Sequence, residues 1–176
     1  MAARIARFNK VSFDQFMKDW CDTFNLVSTD PNVRKDIESI YGGIELPTRA
    51  TTGSAGYDFC SPLTFYLEPG ETIKIPTGIR CWMSNGWVLM VSPRSGLGFK
   101  YRLQLDNTVG IIDEDYYYSD NEGHIFIKIT NDSKEDKTVE VLRGKGFAQG
   151  IFVPYGITVD DDADAVRNGG FGSTDK

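Results

Sequence analysis

Ile79-Arg80-Cys81-Trp82-Met83-Ser84-Asn85-Gly86-Trp87-Val88-Leu89-Met90-Val91 is two short runs rich in β-formers around Asn-Gly. Asn-Gly between such runs is the strongest short hairpin signal, because both residues tolerate the positive φ of a tight turn. The neighbouring segments read the same way. Thr72-Ile73-Lys74-Ile75 alternates behind the turn Glu68-Pro69-Gly70,. Ile125, Ile127 and Ile129 face one way, and Phe126, Lys128 and Thr130 the other,. Asn131–Lys137 is a polar turn, and Thr138–Leu142 and Ile151–Val153 are further strands. Short strands at this spacing predict a mainly β domain, an antiparallel sandwich, jelly roll or barrel.

Residues 1–43 follow a different period. Ser12 and Gln15 fit a capping box, and Phe13, Phe16, Met17, Trp20 and Phe24 then mark one helical face,. Asp30-Pro31 opens a second helix, striped by Val33, Ile37, Ile40 and Tyr41 and stopped by Gly42-Gly43,. The expected organisation is a helical extension over 1–43, a β domain over 44–160 and a flexible C-terminal arm over 161–176. The apolar helical face is expected to pack on the protein's own body or a sister subunit, with a protein partner as the alternative.

Composition narrows the chemistry. The 176 residues suit one domain, and a chain of this length buries roughly 70% of its unfolded surface,. A net charge of −6 argues against general nucleic-acid binding, which draws on clustered Lys and Arg,. Trp87–Val91 is the longest central apolar run, too short to cross a bilayer, and Met1-Ala2-Ala3-Arg4-Ile5 lacks a signal-peptide core,. A cytoplasmic protein without membrane contact is expected. Cys21, Cys60 and Cys81 form no CxxC pair,. His124 is the sole histidine, so any Ser-His or Cys-His scheme would have to use it.

The nucleotide motifs GxxxxGK[ST] and GxGxxG are absent,. Between Val88 and Leu105, however, stand Arg94, Lys100 and Arg102 and no acid. Inside that island, Pro93-Arg94-Ser95-Gly96-Leu97-Gly98 sets a hydroxyl beside glycine-freed amides, a surface suited to phosphate oxygens or an ordinary polar turn,. Asp113 follows the apolar-rich Val109-Gly110-Ile111-Ile112, which suits a general base in a partly dry pocket or a surface acid,.

Five blocks, in order, resemble the motifs of the trimeric dUTPase family. They are Ala55-Gly56-Tyr57-Asp58, Pro93 to Leu97, Asn107 to Tyr116, Gly144-Lys145-Gly146-Phe147-Ala148-Gln149, and Arg167 to Thr174. The resemblance spans residues 44–176. It implies a distorted jelly roll of the β-clip type, assembled as a homotrimer with shared active sites. It implies Mg²⁺-dependent cleavage of dUTP to dUMP and pyrophosphate, which limits uracil in DNA and supplies dUMP. By motif, Asp113 would activate the water that attacks the α-phosphorus. Arg94, Ser95, Gly96 and Gln149 would hold the triphosphate. Asn107, Gly110, Ile111 and Ile112 would read uracil, and Tyr116 would exclude a 2′-hydroxyl. Arg167 would meet the γ-phosphate, Phe171 and Gly172 would close over the base, and Asp58 would reach the metal through water.

The chain departs from the family pattern at three places. About five extra residues follow Tyr116, Gly146 stands where an Arg is usual, and the fifth motif is one residue shorter between Arg167 and Phe171. Two other readings share the resemblance. One is a dUTPase-like, nucleotide-sensing regulator of a protein partner. The other is a dCTP deaminase or its bifunctional relative.

Overall fold

Ser12 ends the first strand's approach and starts a helix, because its hydroxyl accepts the free Gln15 amide (3.1 Å),. The computed structural model describes residues 3–169. A strand the sequence pattern does not announce, β1 (Ala6–Lys10), precedes α1 (Phe13–Phe24). Asp30 caps α2 (Pro31–Gly42), with Pro31 in the first turn, as the spacing predicts,. The apolar face of this hairpin packs on the protein's own body: Phe16, Trp20, Cys21 and Ile37 are buried in the main core. Gly78 has positive φ, and a Cβ there would strike Ile44 and crowd Phe16, so a glycine lets the helix dock this closely,.

The rest is antiparallel β structure. In chain order come β2 (Tyr57–Cys60), β3 (Phe65–Leu67), β4 (Thr72–Pro76), β5 (Ile79–Met83) and β6 (Trp87–Pro93). A short helix, α3 (Ser95–Tyr101), follows, then β7 (Leu103–Leu105) and β8 (Gly110–Ile112). A 3₁₀ turn covers Glu114–Tyr118, and β9 (Phe126–Asn131), β10 (Val139–Val141) and β11 (Gly146–Pro154) complete the chain. The strands pair as β2-β11-β6-β8, β4-β9-β7, β1-β5 and β3-β10. The alternation read in β9 holds, since Ile125, Ile127 and Ile129 are fully buried.

The Asn85-Gly86 hairpin does not form. β5 pairs with β1, whereas β6 pairs with β11 and β8, so the turn passes the chain from one sheet to another. Only Gly86 of the two turn residues has positive φ, while a two-residue type I′ hairpin needs both,. Gly86 spends its polar groups elsewhere: its N–H donates to Glu114 Oε2 (2.8 Å) and its carbonyl accepts from Tyr155 N–H (3.0 Å). Consecutive strands that alternate between sheets are what a jelly roll requires.

Candidate functional site

β6 organises the candidate site because motif residues lie beyond both its ends. Its register with β8 pairs Leu89 with Ile112 and Val91 with Gly110. Asp113, the next residue, therefore lies beside the start of β6. On the other side β11 pairs with β6, and Gln149 stands opposite both Ser92 and Asp58. Gln149, Asp58 and Arg94 thus gather beyond the far end of β6, where Ser95 begins α3.

That far end sets one cation beside one acid and a helix start. Arg94 Nε lies 3.3 Å from Asp58 Oδ1, and its own amide donates to the Phe147 carbonyl (3.1 Å). Arg94 is the N-cap of α3 but makes no side-chain bond to the helix's first amides,. Two glycines open the space. A Cβ on Gly56 would meet Gln149 Oε1 at 2.8 Å, and one on Gly146 would meet Arg94 Cδ at 3.0 Å. Gly146 therefore leaves room for the Arg94 side chain where a larger residue would displace it. A cavity of about 360 Å³ adjoins, lined by Arg94, Ser95, Phe99, Gln104 and Thr108 among others.

The near end carries the acid. Asp113 has a 43% exposed side chain and pairs with Arg167 Nη2, while Arg167 Nε bonds Asp115 Oδ1 at 2.8 Å. Burial raises the pKa of Asp113, the charge of Asp115 adds to the rise, and Arg167 opposes both,. Glu114, between the two, is tied to the Gly86 amide. Asp115 is the site residue that sequence reasoning missed; its only signal was a place two residues after Asp113. Gly110 and Ile112 are buried, Ile111 is half exposed and Asn107 is exposed; β7 and β8, which flank Asn107, pair with β9 and β6 rather than with each other. A Cβ on Gly110 would press on Val91 Cβ at 3.2 Å.

Tyr116 sits deeper than a wall residue needs to. It is 4% exposed, its hydroxyl donates to the His124 carbonyl (2.7 Å), and it accepts from Asn121 Nδ2 (2.8 Å). Phe171 and Gly172 lie outside the described residues. His124 is fully buried, with Nδ1 2.6 Å from Asp19 Oδ2 and Nε2 accepting from the Gly78 amide (2.7 Å). It is a structural bridge between α1 and the β body, far from any nucleophile role. Cys81 is equally sealed, and burial pushes its thiol up to about 12,.

A family model described as dUTPase matches residues 43–175, the span that holds these residues. The chain belongs to the dUTPase family. A Lactococcus lactis subsp. lactis relative named deoxyuridine 5′-triphosphate nucleotidohydrolase is 42% identical over 135 residues, covering 75% of this chain and 89% of that protein. A protein of the same name from Shigella flexneri serotype 5b is 38% identical over 151 residues, covering 81% and 91%. The crystal structure of dUTPase from Streptococcus mutans aligns with a TM-score of 0.57 at 38% identity, over 66% of this chain and 89% of that one. The dUTPase match begins after α2, so the helical hairpin lies between β1 and the matched region. No helix among the described residues is long and apolar enough to cross a membrane.

Proposed function

We propose that this dUTPase-family chain hydrolyses dUTP to dUMP and pyrophosphate, in sites shared between copies of a homotrimer. The observation that carries the reading is Asp113: an accessible carboxylate with a raised pKa, at the end of the segment proposed to read uracil. In its ionised form it orients the attacking water and takes its proton. Arg94, Ser95, Gly96 and Gln149 hold the triphosphate, and Arg167 moves from Asp113 to the γ-phosphate when substrate enters. Phe171 and Gly172 of the same arm cover the base.

Distance supports the sharing. Asp113 lies beside Val88, and Ser95 is about seven residues further along, roughly 20 Å at strand spacing. Reacting groups must approach to about 3–3.5 Å. The Asp113 of one chain therefore works with the phosphate-holding group of another, and a ring of identical heterologous contacts meets that need.

Magnesium fits the same end. The donor there is one partly exposed carboxylate, Asp58, with Arg94 beside it. A single carboxylate suits an ion that arrives with the phosphates and keeps its waters. Bound magnesium would offset charge on the phosphate oxygens. The test incubates the protein with dUTP, dCTP, dTTP and UTP and assays pyrophosphate and ammonia. Pyrophosphate from dUTP alone is expected; ammonia from dCTP would favour the deaminase reading, and no product from any would overturn the enzyme reading.

A further inference from the structure

The loop after Tyr116, longer than the family pattern, and the helical hairpin ahead of the family match meet each other. The sequence suggests that Gln15 completes a capping box on Ser12. Instead, Gln15 Nε2 donates to Asp19 (2.8 Å), and the missing half comes from Glu122. Its carboxylate accepts both the Ser12 amide and the Ser12 hydroxyl, each at 2.7 Å. The same carboxylate lies 3.8 Å from Arg80 Nη1. Arg80 Nη2 donates to the Tyr117 carbonyl, and the guanidinium stacks 3.7 Å from the centre of the Tyr117 ring.

This clasp closes on the segment that carries Asp113. Glu122 and Gly123 both have positive φ, and a Cβ on Gly123 would lie 2.6 Å from the Tyr116 carbonyl oxygen. The loop therefore rests directly on the Tyr116 backbone. Asn121 and His124 hold the Tyr116 hydroxyl, and His124 in turn holds Asp19 of α1. The Glu114–Tyr118 turn is a single 3₁₀ segment with little stiffness of its own,. What fixes its direction is what grips it from outside.

We propose that Glu122 and Arg80 are positioning residues that brace the Asp113–Tyr116 turn against α1, so that the helical hairpin serves the geometry of the base. The proposal rests on the hydrolase reading above. Arg80 supplies a second argument. Its Nε is buried and has no hydrogen-bond partner among the described residues. A filler role would be met at less cost by an apolar side chain of similar volume. The guanidinium is retained where its other nitrogens bridge Glu122 and Tyr117.

The test compares the full chain with Arg80→Met, Glu122→Ala and Glu122→Gln in steady-state dUTP hydrolysis and thermal unfolding. Arg80→Met fills the volume and removes the unpartnered Nε, so it should melt no lower than wild type. It should nevertheless lose about tenfold or more in kcat, since a base misplaced by about 1 Å can cost a hundredfold. KM should change less than kcat, because the phosphate-holding residues lie at the far end of β6. Glu122→Ala should show the same split, and Glu122→Gln, which keeps acceptors for Ser12, should recover most of kcat. Wild-type kcat in Arg80→Met and in folded Glu122→Ala would overturn the bracing role while leaving the hydrolase reading intact. A wild-type chain that releases no pyrophosphate from dUTP would overturn the hydrolase reading, and this inference with it.

Discussion

Asp113→Asn and Ser95→Ala remove groups beyond opposite ends of β6, and mixing the two variants tests whether one site draws on two chains. The register places Asp113 beside Val88, at the end of β6 remote from Ser95, a separation of up to roughly 20 Å along the strand that the proposed site closes with a second chain. Alone, Asp113→Asn should retain about 1% of activity or less for want of a base. Ser95→Ala should fall by about a hundredfold for loss of a charge-stabilising donor. Refolded together in equal amounts, the chains form mixed rings. A site works when its Asp113 comes from a Ser95→Ala chain and its Ser95 from an Asp113→Asn neighbour, which random assembly grants about a quarter of the time in a closed heterologous ring. Activity should therefore rise to about a quarter of wild type, some 25-fold above either parent. Pyrophosphate release from dUTP reads this directly, with each variant refolded alone as the control. A mixture no more active than the mean of its parents would refute the shared site and the distance argument behind it.

Three further outcomes are expected. Asp113→Asn should bind dUTP normally, by calorimetry, while kcat falls by about 10²–10⁴; near-normal turnover would assign the base elsewhere. The base must be ionised to act, and burial first and the charge of Asp115 second raise the pKa of Asp113. The acid limb of kcat/KM should thus lie above the usual carboxylate range, and Asp115→Asn should move it to lower pH; a limb that stays or rises would contradict this. Gly123→Ala forces a Cβ to 2.6 Å from the Tyr116 carbonyl at φ +69°, which should cost about 2–4 kcal/mol and lower Tm by roughly 5–15 °C. Gly70→Ala has positive φ but open space, so it should cost only about 1 kcal/mol in the same melt.

How much of this was legible in the sequence follows from how local each determinant is. Both helices could be read because their starts are set within a turn, by Ser12 and by Asp30 with Pro31. β4 and β9 could be read because alternation over five or six residues outlines a buried face, and β5 from the β-formers beside Asn85-Gly86,. β3, β7 and β8 are three residues each, too short for any period to emerge, whereas β10 falls inside the stretch Thr138–Leu142 already read as a strand. β1 buries only Phe8, so its strand character is supplied by its partner β5 rather than by its own pattern. The Asn85-Gly86 turn was misread for a related reason. A turn's dipeptide reports what φ it tolerates, while the strands beyond it choose their partners by what else is in the fold.

The same distinction divides the site. Asp113, Ser95 and Arg94 came from motif resemblance, which compresses long-range geometry into short words. Glu122 belongs to no such word, and Asp115 stands inside the third without a role assigned by it. Asp115 acts through Arg167, 52 residues on, and Glu122 through Ser12, 110 residues back. A carboxylate's role is set by the cation or amide it meets, and chain separation hides that meeting from any local pattern. Gln15 makes the point by failure: the local partner was present at the right spacing, yet a stronger acceptor arrived from the loop after Tyr116. A carboxylate taking two bonds at 2.7 Å outcompetes a neutral amide oxygen for the same amide, since charged acceptors make roughly twice as strong a bond,. The added loop and the added helices thus complete each other's polar groups. Neither is an independent appendage, and removing one would leave the other's cap or turn unsupported beside Asp113.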